Sequence, residues 1–143
     1  MIRFLLVILG FGFYSTSAQI TGKWKTIDDN SGKARSVIEI SGRSGKYFGK
    51  VVKVFPQPGE DPDPVCDKCA DTDPRYKMKV IGMEILKELI KEGDEYTGGH
   101  ILDPENGKEY RCKIWLEGKI LKVRGYWGPF FRTQTWHPEA GSP

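Results

Sequence analysis

The feature that most constrains this chain is the rhythm of its apolar residues. From Gly22 onward they alternate with polar ones in short runs, and each run stops at a cluster of Gly, Asn, Asp or Ser. Period-two alternation places one set of side chains on one face of a strand. Residues 22–28 set Trp24 and Thr26 against Lys23 and Lys25, and Asp29-Asn30-Ser31-Gly32 ends the run. Residues 34–40 set Ile38 and Ile40 against Arg35 and Glu39, and Ser41-Gly42-Arg43-Ser44-Gly45 turns the chain. Residues 47–55 are rich in Val and aromatics, as strands are. Further on, 96–102, 109–117, 119–127 and 132–137 read the same way. Asp103-Pro104-Glu105-Asn106-Gly107, Glu117-Gly118 and Gly128-Pro129 lie between them.

One segment is ambiguous. Ile81, Ile85 and Leu89 stand at helical spacing within residues 80–91. The reading favoured is a strand with an irregular or helical first turn, because it brings the strands to eight, enough to close a barrel without free edges. No helix alternates with the strands, which excludes a parallel α/β sheet. The expected fold is all-β: a single antiparallel up-and-down barrel of about eight strands. It carries a long Pro- and Asp-rich loop over residues 56–77, whose prolines bar it from a central strand. A structureless loop of that length is usually functional or mobile.

The first residues read differently. Arg3 is followed by an apolar run from Phe4 to Phe13 and by the small residues Ser15, Thr16, Ser17 and Ala18. That is the pattern of a secretory signal cleaved after Ala18. The run is short for a span, which takes roughly 20 residues. No cysteine follows the cleavage site, which argues against a lipid anchor. The expected organisation is a signal peptide over 1–18 and one barrel domain over 19–143, exported to the periplasm or medium. Removing 1–18 takes away Arg3 alone, so the net charge of +3 becomes +2. The remaining charges are interspersed. They form no basic stripe of the kind nucleic-acid binding needs.

Cys66-Asp67-Lys68-Cys69 admits three readings. A redox pair normally sits at a helix N-terminus, and acidic neighbours raise a thiol pKa. Zinc needs four ligands, and one C-x-x-C supplies two, leaving Asp71, Asp73 or His100 to complete a site. A structural disulfide suits an exported chain and is favoured; its small ring removes little chain entropy. Cys112 shares an apolar face with Tyr110 and Ile114 and reads as a buried, inert thiol. His100 follows Gly98-Gly99, where a backbone could approach a ligand, but reads best as a solvent-facing strand residue. The acidic turns at 28–32 and 103–107 lack the spacing of a calcium loop. No nucleophile, base and orienting acid assemble, so no catalytic residues and no cofactor or metal are assigned.

Four stretches together resemble one bacterial exported family, the domain of unknown function 2147 (DUF2147), over about residues 20–137. They are Gly22-Lys23-Trp24; Gly82 within Val-Ile-Gly-Met-Glu-Ile-Leu; the run from Gly98 to Tyr110; and the run from Leu121 to Gly128 with Arg132-Thr133-Gln134-Thr135-Trp136. The family is similar in fold to lipocalins, so the resemblance implies a calycin-like barrel. It implies no activity. It also implies that the first and last strands pair, and that an arginine lies across the first-strand tryptophan. The expected barrel-closing pair is therefore Trp24 and Arg132, with Arg124 in reserve.

The inward aromatics decide what such a barrel does. Tyr47, Phe48, Tyr110, Tyr126, Trp127 and Trp136 are the candidates to line a pocket, or else to fill it. The expected function is non-enzymatic: binding of a small apolar or amphipathic ligand inside an exported barrel. The alternative is a filled barrel acting as an interaction module of the cell envelope, with residues 56–77 and 126–131 as contact surfaces.

Overall fold

The computed structural model describes residues 10–12 and 19–139. The signal peptide read over residues 1–18 falls, apart from 10–12, outside the described residues. Eight strands run in chain order: β1 (Gly22–Ile27), β2 (Ala34–Arg43), β3 (Lys46–Val54), β4 (Glu84–Glu92), β5 (Glu95–Asp103), β6 (Lys108–Glu117), β7 (Ile120–Trp127) and β8 (Phe130–Pro138). Each pairs antiparallel with the next, and β1 closes the barrel on β8 through Trp24↔Pro138, Lys25↔His137 and Thr26↔Trp136. The all-β barrel, its strand number and its closure are as the alternation predicts. Closure removes the free edges that would otherwise template aggregation.

The ambiguous segment is a strand. A turn in which the Met83 N–H donates to the Val80 carbonyl (3.0 Å) leads into β4. The spacing of Ile85 and Leu89 reflects two register shifts on β4: one step of β3 from Gly49 to Lys50 faces two on β4 from Leu86 to Glu84, with Ile85 the extra residue, and a second bulge follows before Leu89. Between Tyr47 and Gly49 β3 advances two residues while β4 advances three, from Leu86 to Leu89. On β5, three residues from Tyr96 to Gly99 face two on β6. The extra residues of these last two bulges adopt left-handed backbone at Glu88 (φ 60°) and Gly98 (φ 71°). A bulge adds one residue to a period of two. Leu86 and Leu89 are both fully buried although three apart.

The same bulge explains Gly99. A Cβ there would lie 2.6 Å from Leu89 Cδ2 and 2.8 Å from the Lys87 carbonyl. The glycine makes room for a core leucine and the β4 backbone, not for a ligand as the Gly98-Gly99 pair suggested.

The short hairpins β2–β3, β4–β5 and β6–β7 gather at one end of the barrel, with the start of β1 and the end of β8. Residues 19–21 meet this end. Ile20 is fully buried, and its carbonyl accepts the Trp24 Nε1–H at 2.7 Å. Tyr47 packs edge-on against the buried Tyr96 with ring centroids 4.9 Å apart. This is the closed end.

The expected stacking of Arg132 on Trp24 is overturned. Arg132 stands opposite Gly125, six residues before the Pro138 that faces Trp24, which is roughly 20 Å along a strand. Its guanidinium binds Asp29 instead, with Nε donating at 2.9 Å. The reserve residue, Arg124, lies on the outer wall between Trp115 and Phe131, 4.9 and 4.4 Å from their ring centres. A backbone carbonyl and a buried isoleucine seal the tryptophan where a cation was expected.

The other end carries the β1–β2, β5–β6 and β7–β8 turns and the long β3–β4 connection. That connection is not structureless. Val65 bridges Lys79, the Cys66 N–H donates to the Met78 carbonyl, and the Val80 N–H donates to the Pro64 carbonyl. Arg75 pins it to the barrel. Its guanidinium holds Asp73 at 2.8 Å, reaches the Glu84 carbonyl at 3.0 Å and Glu109 at 3.2 Å. Arg75 beside it holds the Asp73 carboxyl down to about 2. Leu102 faces outward by register, opposite Glu109, yet is buried where this loop crosses.

Candidate binding cavity

The strands that alternate toward the barrel axis leave the open end unfilled. A cavity of about 950 Å³ opens there. Its floor is apolar: Trp136, Val123 and Val51 are buried and line it, and the buried Val80 and Ile85 line it nearer the start of β4. On β8 Phe130, Arg132, Gln134 and Trp136 line it at every second position, as a pleated strand requires, and Phe131 joins them at the turn. On β7 Val123, Gly125 and Trp127 do the same. Gly125 widens the lumen, because it presents no side chain beside Tyr110.

The expected pocket residues divide. Tyr110, Trp127 and Trp136 line the cavity. Tyr47 fills the closed end against Tyr96. Phe48 lies on the outer wall, with the Arg43 guanidinium 3.7 Å from its ring centre. Tyr126 is also outside, against Phe131. Phe48 and Tyr126 each sit one residue out of phase with the inward set, so the strand pleat turns them to solvent.

The rim is polar and charged. Arg35 donates to Glu60 through Nη1 at 2.8 Å and Nη2 at 3.1 Å, and also to Glu105. This ties the long loop and the β5–β6 turn to β2. Asp28 Oδ1 accepts the backbone N–H groups of Asn30 and Ser31, both at 2.8 Å, and these bonds lower its pKa. Asp103 Oδ1 accepts the Glu105 N–H at 2.9 Å, while burial pushes its pKa upward. Both acidic stretches are hairpin turns, as their sequences indicate. Arg35 and Glu60 stand far apart in the chain, and nothing in the local sequence links them.

Cys66 and Cys69 form a disulfide. It is not on the surface of the loop. Cys66 is fully buried, and its sulfur approaches the Pro104 carbonyl at 3.9 Å. The β5–β6 turn packs on this loop so closely that a Cβ on Gly107 would lie 1.8 Å from the Lys68 carbonyl oxygen. The bridge is part of the joint between two rim loops. The third cysteine, Cys112, is buried among core side chains, and that burial pushes its thiol up to about 12. A thiol so placed is neither nucleophilic nor accessible. A thiol-counting reagent should therefore find essentially none in the native protein and one in denaturant without reductant. All three of the chain's cysteines should react after reduction in denaturant. A native count of one or more would contradict this placement.

Among the described residues no three His, Cys, Asp or Glu side chains are grouped as metal ligands. No helix among them is long and apolar enough to cross a membrane.

Comparisons with known proteins agree with this architecture. Protein HP1028 from the human pathogen Helicobacter pylori, described as belonging to the lipocalin family, has a similar structure. The TM-score is 0.72 at 20% identity, covering 87% of this chain and 86% of that one. At that identity the likeness speaks for the fold alone. No curated protein matches the chain. The model of a family described as "Uncharacterized protein conserved in bacteria (DUF2147)" matches residues 22–138, the whole span of the barrel from the first residue of β1 to the last of β8. The chain belongs to the DUF2147 family.

Proposed function

We propose that this protein is a non-enzymatic, exported binding barrel that takes a small apolar or amphipathic molecule through its open end. The cavity carries the proposal: about 950 Å³ with a floor of buried apolar side chains. Ligand sites are concave, mostly apolar and of roughly 300–1,000 Å³, with a few polar groups that fix orientation. Trp136 and Tyr110 offer aromatic faces within it, and Gln134 and Asp103 offer polar atoms. Export is supported by the signal-like residues 1–18 and by a disulfide, which persists in oxidising compartments.

The other reading, an interaction module with a filled barrel, draws on Trp127, Phe130 and Phe131. These are 64%, 69% and 60% exposed at the β7–β8 turn. All three also line the mouth of the cavity, so a ligand portal accounts for them equally well. The open lumen weighs against a filled interior.

Native mass spectrometry of protein purified from its host, with solvent extraction of the same sample, tests the binding reading. A bound small molecule released on unfolding is expected. Protein that carries nothing and takes up no apolar fluorescent probe would sink it. Cell fractionation with N-terminal sequencing tests export: the expected chain is extracytoplasmic and begins at Gln19.

A further inference from the structure

We infer that the cavity selects an amphiphile with a cationic head group, an assignment that rests on the binding reading above. The charges of the lining are lopsided. Seven carboxylates stand there against three cations, Arg35, Lys68 and Arg132, which leaves four net negative charges at the mouth. The whole chain is +3, so everything outside the mouth sums to +7. The negative charge is concentrated where a ligand enters.

Pairing does not cancel it. Arg35 is consumed by Glu60 and Glu105 together, and Arg132 by Asp29. Asp28, Asp61, Asp67 and Asp103 form no ion pair among the described residues. A cleft lined by one sign of charge with low-dielectric walls focuses the field and concentrates the opposite charge. An anionic head would meet repulsion at the rim, whereas a cationic one is drawn in while its tail reaches the apolar floor.

The kind of cation follows from the geometry. The carboxylates are spread around the rim and do not converge as metal ligands. The aromatic side chains Phe130 and Tyr110 stand beside them in the same cavity, while Trp127 already holds the Lys108 ammonium 5.2 Å from its ring centre. Aromatic faces attract a diffuse organic cation, and quaternary ammonium groups are held in this way. A substituted ammonium on an apolar tail fits both the acids and the rings.

The test compares three amphiphiles with the same dodecyl tail, each below its critical micelle concentration: dodecyltrimethylammonium, dodecyl maltoside and dodecanoate. Binding to the full folded chain is read by calorimetry and tryptophan fluorescence. At low salt dodecyltrimethylammonium is expected to bind about tenfold more tightly than dodecanoate, and the gap should shrink in high salt. Asp28→Asn with Asp103→Asn keeps both Oδ1 acceptors for the turn N–H groups and removes two of the four net charges. It should cut the preference to roughly threefold. If all three bind and dodecanoate equals or exceeds the cation, the head-group assignment is overturned and the binding reading stands. If none binds, both fall. A preference that survives high salt, or the double substitution, unchanged overturns the attribution to the rim carboxylates.

Discussion

Trp24→Ala is expected to destabilise the protein by about 3–5 kcal/mol, the usual cost of removing a large aromatic from a tight site. Trp24 is only 7% exposed and lies at the closed end, where β1 pairs with β2 through Ile38 and with β8 through Pro138. Its indole N–H is the partner of the Ile20 carbonyl. Alanine therefore does two kinds of damage. It leaves a void under the barrel, and it strips a buried carbonyl of its donor, which alone costs about 1–3 kcal/mol. Ile20, fully buried against this end, loses its anchor as well. For a domain of this size the melting temperature should fall by roughly 10–20 °C. Trp24→Phe keeps a six-membered aromatic ring in the site while it removes the donor and the rest of the indole. Its loss should be smaller than that of alanine. Urea melts of the three proteins provide the measurement. An alanine variant that unfolds at the parent's midpoint would show that Trp24 does not seal the barrel.

Gly107→Ala is the second large effect, at about 2–5 kcal/mol. Two penalties add. The residue has φ +73°, where a Cβ costs about 1–2 kcal/mol. The new methyl would also lie 1.8 Å from the Lys68 carbonyl oxygen and 2.7 Å from the Cys69 nitrogen. Those atoms are backbone, so no rotamer change relieves the clash, and overpacking of this kind adds about 1–3 kcal/mol. The loop carrying the disulfide must move off the β5–β6 turn. Gly118→Ala is the matched control: its φ is +61°, but nothing lies within 4 Å of the new Cβ. It should show the conformational penalty alone. Equal losses in the two variants would mean that the two rim loops are not in the tight contact described here.

The sequence by itself determined the parts of this protein that depend on local periodicity. Alternation on β2, β6 and β7 marked the inward faces, with Ile38, Ile40, Cys112, Ile114, Leu121 and Val123 all buried. Turn chemistry placed the hairpins, and eight strands without helices left a closed meander as the consistent solution. It also placed Trp136 and Tyr110 toward the lumen, because a strand's pleat assigns faces without reference to its neighbours. The local pattern failed where an extra residue entered a strand. At Ile85 and Leu89 two bulges on β4 imitate helical spacing, since the alternation that identifies a strand is what a bulge interrupts.

Three features were decided only in the tertiary structure. Arg132 and Trp24 both belong to strands that pair, yet the pairing register sets them at opposite ends. Register is a property of two strands, not of either alone. The acidic loop read as structureless, and functional or mobile, but Arg75 reaches Asp73, Glu84 and Glu109 and holds it down, burying Cys66. The rim ties Arg35 to Glu60 and Glu105, residues 25 and 70 positions away. Such long-range pairs have no period in the chain, because closing the barrel is what brings their loops together.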